Sequence, residues 1–330
     1  MGTLLVCLFK TLATINLMEN RVEIFPELEQ RRIAIILGTG AENLGRLGFN
    51  VGHPKDYSLA YYEKGRQERG SVQLYPAEVG GTGIHLLSRH AAREGYVPAY
   101  QIDHRANMLA LVDDEDGAGA DVILGSSLVG GCRTTNWEVG DIILVRDGID
   151  EHPDDQHVDG NQPYVHAQDL FDGKVSDILL EAAKRKDIPV RDGGIYYSGP
   201  STTGNRFETP AEMAKLLAHV YLRQYLDRVA ELVGVGLEEF DERWAIKEEL
   251  EPNLVGMTLV REAGYARTIS TRRAYPIRFG GFAVISDFPE DEETEHGKNL
   301  EVALEKLPVV MDIFAEAIPE INRGLRERSL

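Results

Sequence analysis

Short apolar runs that stop at glycine or at small polar residues recur along this chain. Arg32-Ile33-Ala34-Ile35-Ile36-Leu37 is apolar and rich in β-branched residues, then meets Gly38-Thr39-Gly40, which predicts a buried first strand and a tight loop. Gly83-Ile84-His85-Leu86-Leu87 stops at Ser88-Arg89-His90, Val122-Ile123-Leu124 at Gly125-Ser126-Ser127, and Asp141-Ile142-Ile143-Leu144-Val145 at Arg146-Asp147. Gly194-Ile195-Tyr196-Tyr197 runs into Ser198-Gly199-Pro200, and Phe282-Ala283-Val284-Ile285 into Ser286-Asp287. Residues 99–112, 170–186 and 299–318 instead place apolar side chains three and four apart, the helical spacing. Residues 210–252 hold two more helix-like runs, around 214–233 and 237–250, separated by Gly234 and Gly236. Strands alternating with helices predict an α/β fold, with the polar loops that follow the strands gathered along one edge of the sheet.

Composition narrows the possible partners. Hydrophobic residues make up 43% of 330, enough for a normal globular core. Net charge is −19, from 35 basic and 54 acidic residues, so the surface repels nucleic acid and anionic lipid. A small anion remains an acceptable ligand, since a few buried cations suffice to hold one. Cys7 and Cys132 are too few for a disulfide framework and lack the pairing of a zinc motif, so a reducing, cytoplasmic setting without a metal is expected. The apolar run near the N-terminus is short, broken by Lys10 and not preceded by a basic segment, and residues 1–30 are read as an extension outside the core.

Candidate chemistry lies in the loops. Gly38-Thr39-Gly40 offers backbone amides and a hydroxyl to a dianion, Arg89 a guanidinium fork and His90 an imidazole donor. Ser126 and Thr258 fit equally well as further ligands or as loop and helix caps. Phe207 can face an aromatic ring or pack in a core, and the same holds for Met257 against a sugar. Arg267, Arg272, Arg273 and Arg278 form a basic stretch, either solvated or a second anion contact.

Five stations in order resemble the trimeric purine nucleoside and methylthioadenosine phosphorylases: Leu37-Gly38-Thr39-Gly40; Ser88-Arg89-His90 with 98–107; Gly125-Ser126-Ser127 with 139–143; Arg206-Phe207-Glu208-Thr209-Pro210; and Val255-Gly256-Met257-Thr258, with Asp287 beyond. The resemblance implies a single domain over residues 31–330, with a mixed central sheet flanked by helices and a helical insertion near 213–252. It also implies a homotrimer that takes a purine nucleoside and inorganic phosphate and uses no cofactor, phosphate being a co-substrate. On that pattern Thr39, Arg89, His90, Ser126 and Thr258 bind phosphate, while Met257 lies on the ribose and Phe207 and Glu208 on the purine. Leu300, Ala303 and Leu304 would cover the 5′ group, and Asp287 would deliver a proton or hydrogen bond to N7 of the departing base. An aspartate at 287 favours 6-aminopurines and Glu208 resembles the 6-oxopurine members, so 5′-methylthioadenosine is the preferred substrate and inosine or guanosine the alternative. A hydrolase, or a catalytically silent purine or anion binder, is the remaining reading. Gly204-Asn205 stands where the family has Gly-Pro, and about thirty extra residues separate the last two stations.

Overall fold

The computed structural model describes residues 32–39, 41, 49–63, 66–92, 95–133, 135–152, 169–199, 210–218, 252–289 and 296–330. The elements run β1 (Arg32–Leu37), β2 (Asn50–Val51), β3 (Lys55–Glu63), β4 (Arg66–Val79), β5 (Thr82–Ser88), β6 (Ala91–Ala92), β7 (Gly95–Tyr96), a 3-10 turn (Ala99–Gln101), α1 (His104–Val112), β8 (Ala120–Gly131) and β9 (Ile142–Asp150). There follow α2 (Gly173–Arg185), β10 (Arg191–Ser198), α3 (Pro210–Leu216), β11 (Leu254–Val255), α4 (Leu259–Ser270), β12 (Arg278–Asp287) and α5 (His296–Arg326). The chain is an α/β domain built on a mixed sheet.

The sheet order is β11-β10-β9-β12-β8-β1-β5-β4-β2. Strand β1 lies parallel to both β5 and β8, which explains its unbroken apolar run: Ile33 to Leu37 are all buried because both faces are covered. At the other side β11 pairs antiparallel with the far end of β8, Leu254 opposite Gly131, so β8, β12, β9, β10 and β11 close into a small barrel. One core sits on each face: α1 and α4 pack together over one, α2 and α5 over the other.

Several boundaries differ from the sequence expectation. Strand β8 does not stop at Leu124 but continues through Gly125, Ser126 and Ser127 to Gly131, so the two serines are strand residues, not loop residues. Gly125 is there because its neighbours come close, and a methyl group on it would overlap Leu259 and Phe279. Strand β9 likewise continues past Arg146 to Asp150, held by pairing with β10 as far as Ser198. The helix expected over 99–112 is split: Asp103 accepts the Ala106 amide at 2.8 Å and starts α1, leaving only a 3-10 turn before it. The β3–β4 hairpin was not anticipated, although Tyr57, Leu59 and Tyr61 alternate with exposed Ser58 and Ala60. Helix α5 extends past residue 318 to Arg326. Most of the insertion expected at 213–252 lies outside the described residues, as does the extension expected at 1–30.

Candidate active site

Register brings the first three stations together. Leu37 pairs with Ser88 and Ile36 with Gly125, so Gly38-Thr39, Arg89-His90 and Ser126-Ser127 reach the same level of the sheet on adjacent strands. Above them an open cleft is bordered on one side by Gly38, Thr39, Ser126 and Ser127. The facing wall is α5, through Ala303, Lys306, Leu307 and Val310, with Leu128 and Val284 completing it. Ser126 is buried, and its Oγ has no hydrogen-bond partner although it borders the cleft. An orphaned buried hydroxyl in such a place is suited to a ligand that accepts or donates there.

Arg89 is not the open fork that its sequence context suggests. Its Nε and Nη2 donate to the two carboxylate oxygens of Glu262 at 2.7 and 2.6 Å, and Nη1 donates to the Ser126 carbonyl at 2.6 Å. Three of five N–H groups are therefore committed, and both side chains are 0% exposed. A methyl group on Gly38 would stand 3.0 Å from Arg89 Nη1, so the guanidinium lies directly under the glycine turn. Arg89 thus ties β5, β8 and α4 together beneath the cleft floor. Burial alone would push the Glu262 carboxyl up, but Arg89 and then His104 offset this and hold it below the usual carboxylate range. His104, fully buried with its Nδ1 3.6 Å from Glu262, is pushed down by burial against the opposing pull of that carboxylate.

His90 differs from expectation in a similar way. Burial first, and the Arg89 charge second, push it down to about 4, so it is neutral at pH 7. Its Nδ1 lies 2.8 Å from the Val97 carbonyl, which can only accept, so the proton sits on Nδ1 and Nε2 is left as an acceptor. The ring stacks on Tyr96 with centroids 5.2 Å apart. As placed, His90 offers a lone pair where a donor was expected.

The last station folds back onto β8. From Val255 in β11 the chain passes Gly256 and the half-buried Met257 to Thr258, whose Oγ1 lies 3.2 Å from Ser127 Oγ. Thr258 occupies the N-cap position of α4 but makes no side-chain cap bond; its hydroxyl faces the serine. Tyr196 joins the two, since its hydroxyl accepts the Thr258 amide at 3.2 Å and lies 3.3 Å from Ser127 Oγ. Gly256 must be glycine here, because a methyl group would overlap the Tyr196 ring and hydroxyl.

Asp287, half-buried, ends β12 opposite Gly130, and Ser286 Oγ donates to its Oδ1 at 3.1 Å. Ser127 and Gly130 are three residues apart on β8, so the cleft floor and Asp287 are about 10 Å apart along the strand. Phe207 and Glu208 lie outside the described residues. Leu300 and Leu304 do not line the cleft: they are 42% and 43% exposed, and Ala303 lines it together with Leu307, one turn on. The basic stretch also resolves differently. Arg273 pairs with Asp114 and Asp121, Arg278 with Asp172, so these two tie elements together inside the fold. Glu262, Tyr196 and Lys306 were given no role from the sequence, and His104 was read only as part of the 98–107 segment; only the position of Glu262, four residues past Thr258 on an apolar helix, hinted that it would be buried.

Among the described residues no cluster of three or more His, Cys, Asp or Glu could hold a metal, and no helix is long and apolar enough to cross a membrane. The sheet brings Gly38, Thr39, Ser126 and Ser127 to adjacent strand ends, the place where open α/β sheets hold their ligands. Residues 32–318 match the Phosphorylase superfamily, and the chain belongs to it. It is an enzyme of the nucleoside phosphorylase kind, a pentosyltransferase. It is 24% identical over 293 residues to S-methyl-5′-thioadenosine phosphorylase of Pyrococcus horikoshii, covering 88% of this chain and 93% of that one. A Methanopyrus kandleri protein named "Probable S-methyl-5′-thioinosine phosphorylase" is 29% identical over 179 residues, 52% of this chain, and the match spans 62% of that relative's length. Methylthioadenosine phosphorylase from Schistosoma mansoni, solved with adenine, shares the fold with a TM-score of 0.62 at 19% identity, covering 91% of this chain and 98% of that one.

Proposed function

We propose that the chain cleaves a purine nucleoside with phosphate, preferably 5′-methylthioadenosine, giving free purine and a pentose 1-phosphate. The observation that carries this reading is the two-sided cleft: Thr39 and the unpartnered Ser126 hydroxyl on its polar side, and Ala303, Leu307 and Val310 on the wall opposite. A phosphate dianion suits the first, and an apolar 5′-methylthio group suits the second better than a hydroxyl does. Phosphate oxygen attacks the anomeric carbon as the bond to the purine breaks; positive charge grows on the sugar and negative charge on the base. Asp287, about 10 Å along β8 from the floor, is at a suitable remove to meet the purine at N7 and the 6-position. In this reading phosphate is the only co-substrate, no metal or organic cofactor takes part, and the enzyme works as a trimer.

A 6-oxopurine nucleoside is the second reading, favoured by the name of the Methanopyrus kandleri relative. A panel of methylthioadenosine, adenosine, methylthioinosine, inosine and guanosine decides between them. The expected result is the highest kcat/KM for methylthioadenosine, with Asp287→Asn shifting preference towards the 6-oxo compounds. Higher kcat/KM for inosine or guanosine in the unaltered protein would transfer the assignment to the second reading, and base release from none of them would leave a silent binder.

A further inference from the structure

The proposed phosphate floor lacks a net positive charge. Arg89 is neutralised by Glu262 at 2.6 Å with both side chains wholly buried, and His90, held down to about 4, is uncharged near pH 7. The two Arg89 N–H groups left over can still donate, but its charge is already offset by Glu262, and the protein as a whole carries −19. Across the cleft from Ser126, α5 carries Lys306, the sole cation among the described residues that line it.

Lys306 packs over a glycine turn and its charge is met by one neighbouring carboxylate. Its stem lies over the turn at Gly140, where an added methyl group would stand 3.0 Å from Cε and 3.6 Å from Nζ. Gly140 has φ +91, a conformation that other residues rarely adopt, so the turn stays bare beneath the stem. Nζ is 2.9 Å from a carboxylate oxygen of Glu305, its neighbour in sequence, whose side chain is 71% exposed. With Lys306 itself 29% exposed and Glu305 largely in solvent, the pair is a weak one that a dianion in the cleft would compete with. Lysine is a compact charge on a flexible four-carbon stem, able to follow an anion without a rigid fork.

We propose that Lys306 swings from Glu305 across the cleft to bind the phosphate co-substrate, supplying the charge that the Arg89 and Glu262 pair does not. The assignment rests on the phosphorylase reading and adds to it a ligand from the C-terminal helix. Lys306→Met keeps the stem and removes the charge. It should raise the Michaelis constant for phosphate by about tenfold or more while that for the nucleoside moves less than about twofold. Lys306→Arg should recover most of the loss. Independently, inorganic phosphate alone should raise the melting temperature of the unaltered protein more than that of Lys306→Met. A phosphate Michaelis constant unchanged in Lys306→Met would overturn the assignment while leaving the phosphorylase intact. Base release by the unaltered protein that ignores phosphate would instead remove the phosphorylase reading. The melting comparison then still decides Lys306, and equal phosphate-induced shifts in the two proteins would refute it.

Discussion

Arg89 and Glu262 meet with no exposed surface on either side chain, and this pair controls how the polar floor is held. Taking two charges out of water is costly, and only the two-pronged contact at 2.6 and 2.7 Å, with Nη1 on the Ser126 carbonyl, repays it. Glu262→Ala would strand a buried guanidinium and should cost about 3–5 kcal/mol of stability, measured by urea unfolding. The double variant Arg89→Met with Glu262→Leu should recover part of that loss, because the uncompensated charge is gone. A Glu262→Ala loss below about 1 kcal/mol would mean that the pair is not what fixes the floor. None of this was legible from Ser88-Arg89-His90, which showed a cation after a strand but not its partner 173 positions later. His90 shows the same limit, since its tautomer is set by the Val97 carbonyl, a backbone group that side-chain identity does not reveal.

At the scale of elements, strands covered on both faces were the easiest to read. The run from Ile33 to Leu37 is apolar throughout because β5 and β8 flank it, so its end at Gly38 was readable from the sequence. Glycine misled in β8, where it signals close packing and not a turn. Gly281 in β12 faces Gly125 across the ladder, and a methyl group on Gly281 would come within 2.5 Å of the Gly125 carbonyl oxygen, a backbone atom that cannot step aside. Gly281→Ala should therefore destabilise the protein by about 1–3 kcal/mol in thermal or urea unfolding. Gly83→Ala, with nothing within 4 Å of the new methyl, should be close to neutral. Equal effects at the two positions would contradict the close approach of β8 and β12. On α5 the face read for the 5′ group was Leu300, Ala303 and Leu304; Ala303 lines the cleft together with Leu307, whereas Leu300 and Leu304 are exposed.

For the whole molecule, the barrel formed when β11 pairs with β8 is what brings Thr258 and Asp287 to the strand that carries Ser126 and Ser127. Leu254 opposite Gly131 sets Thr258 against Ser127, and the same β8 carries Gly130 opposite Asp287. The first two stations were legible because each follows a strand; the closure was not, since β11 is two residues long. In the proposed reaction phosphate, not water, takes the pentose. 31P nuclear magnetic resonance of a methylthioadenosine reaction at limiting phosphate, read beside the free base released, tests this. Phosphorolysis gives one equivalent of pentose 1-phosphate for each adenine and no turnover once phosphate is exhausted. Adenine accumulating with free pentose, at a rate indifferent to phosphate, would contradict it.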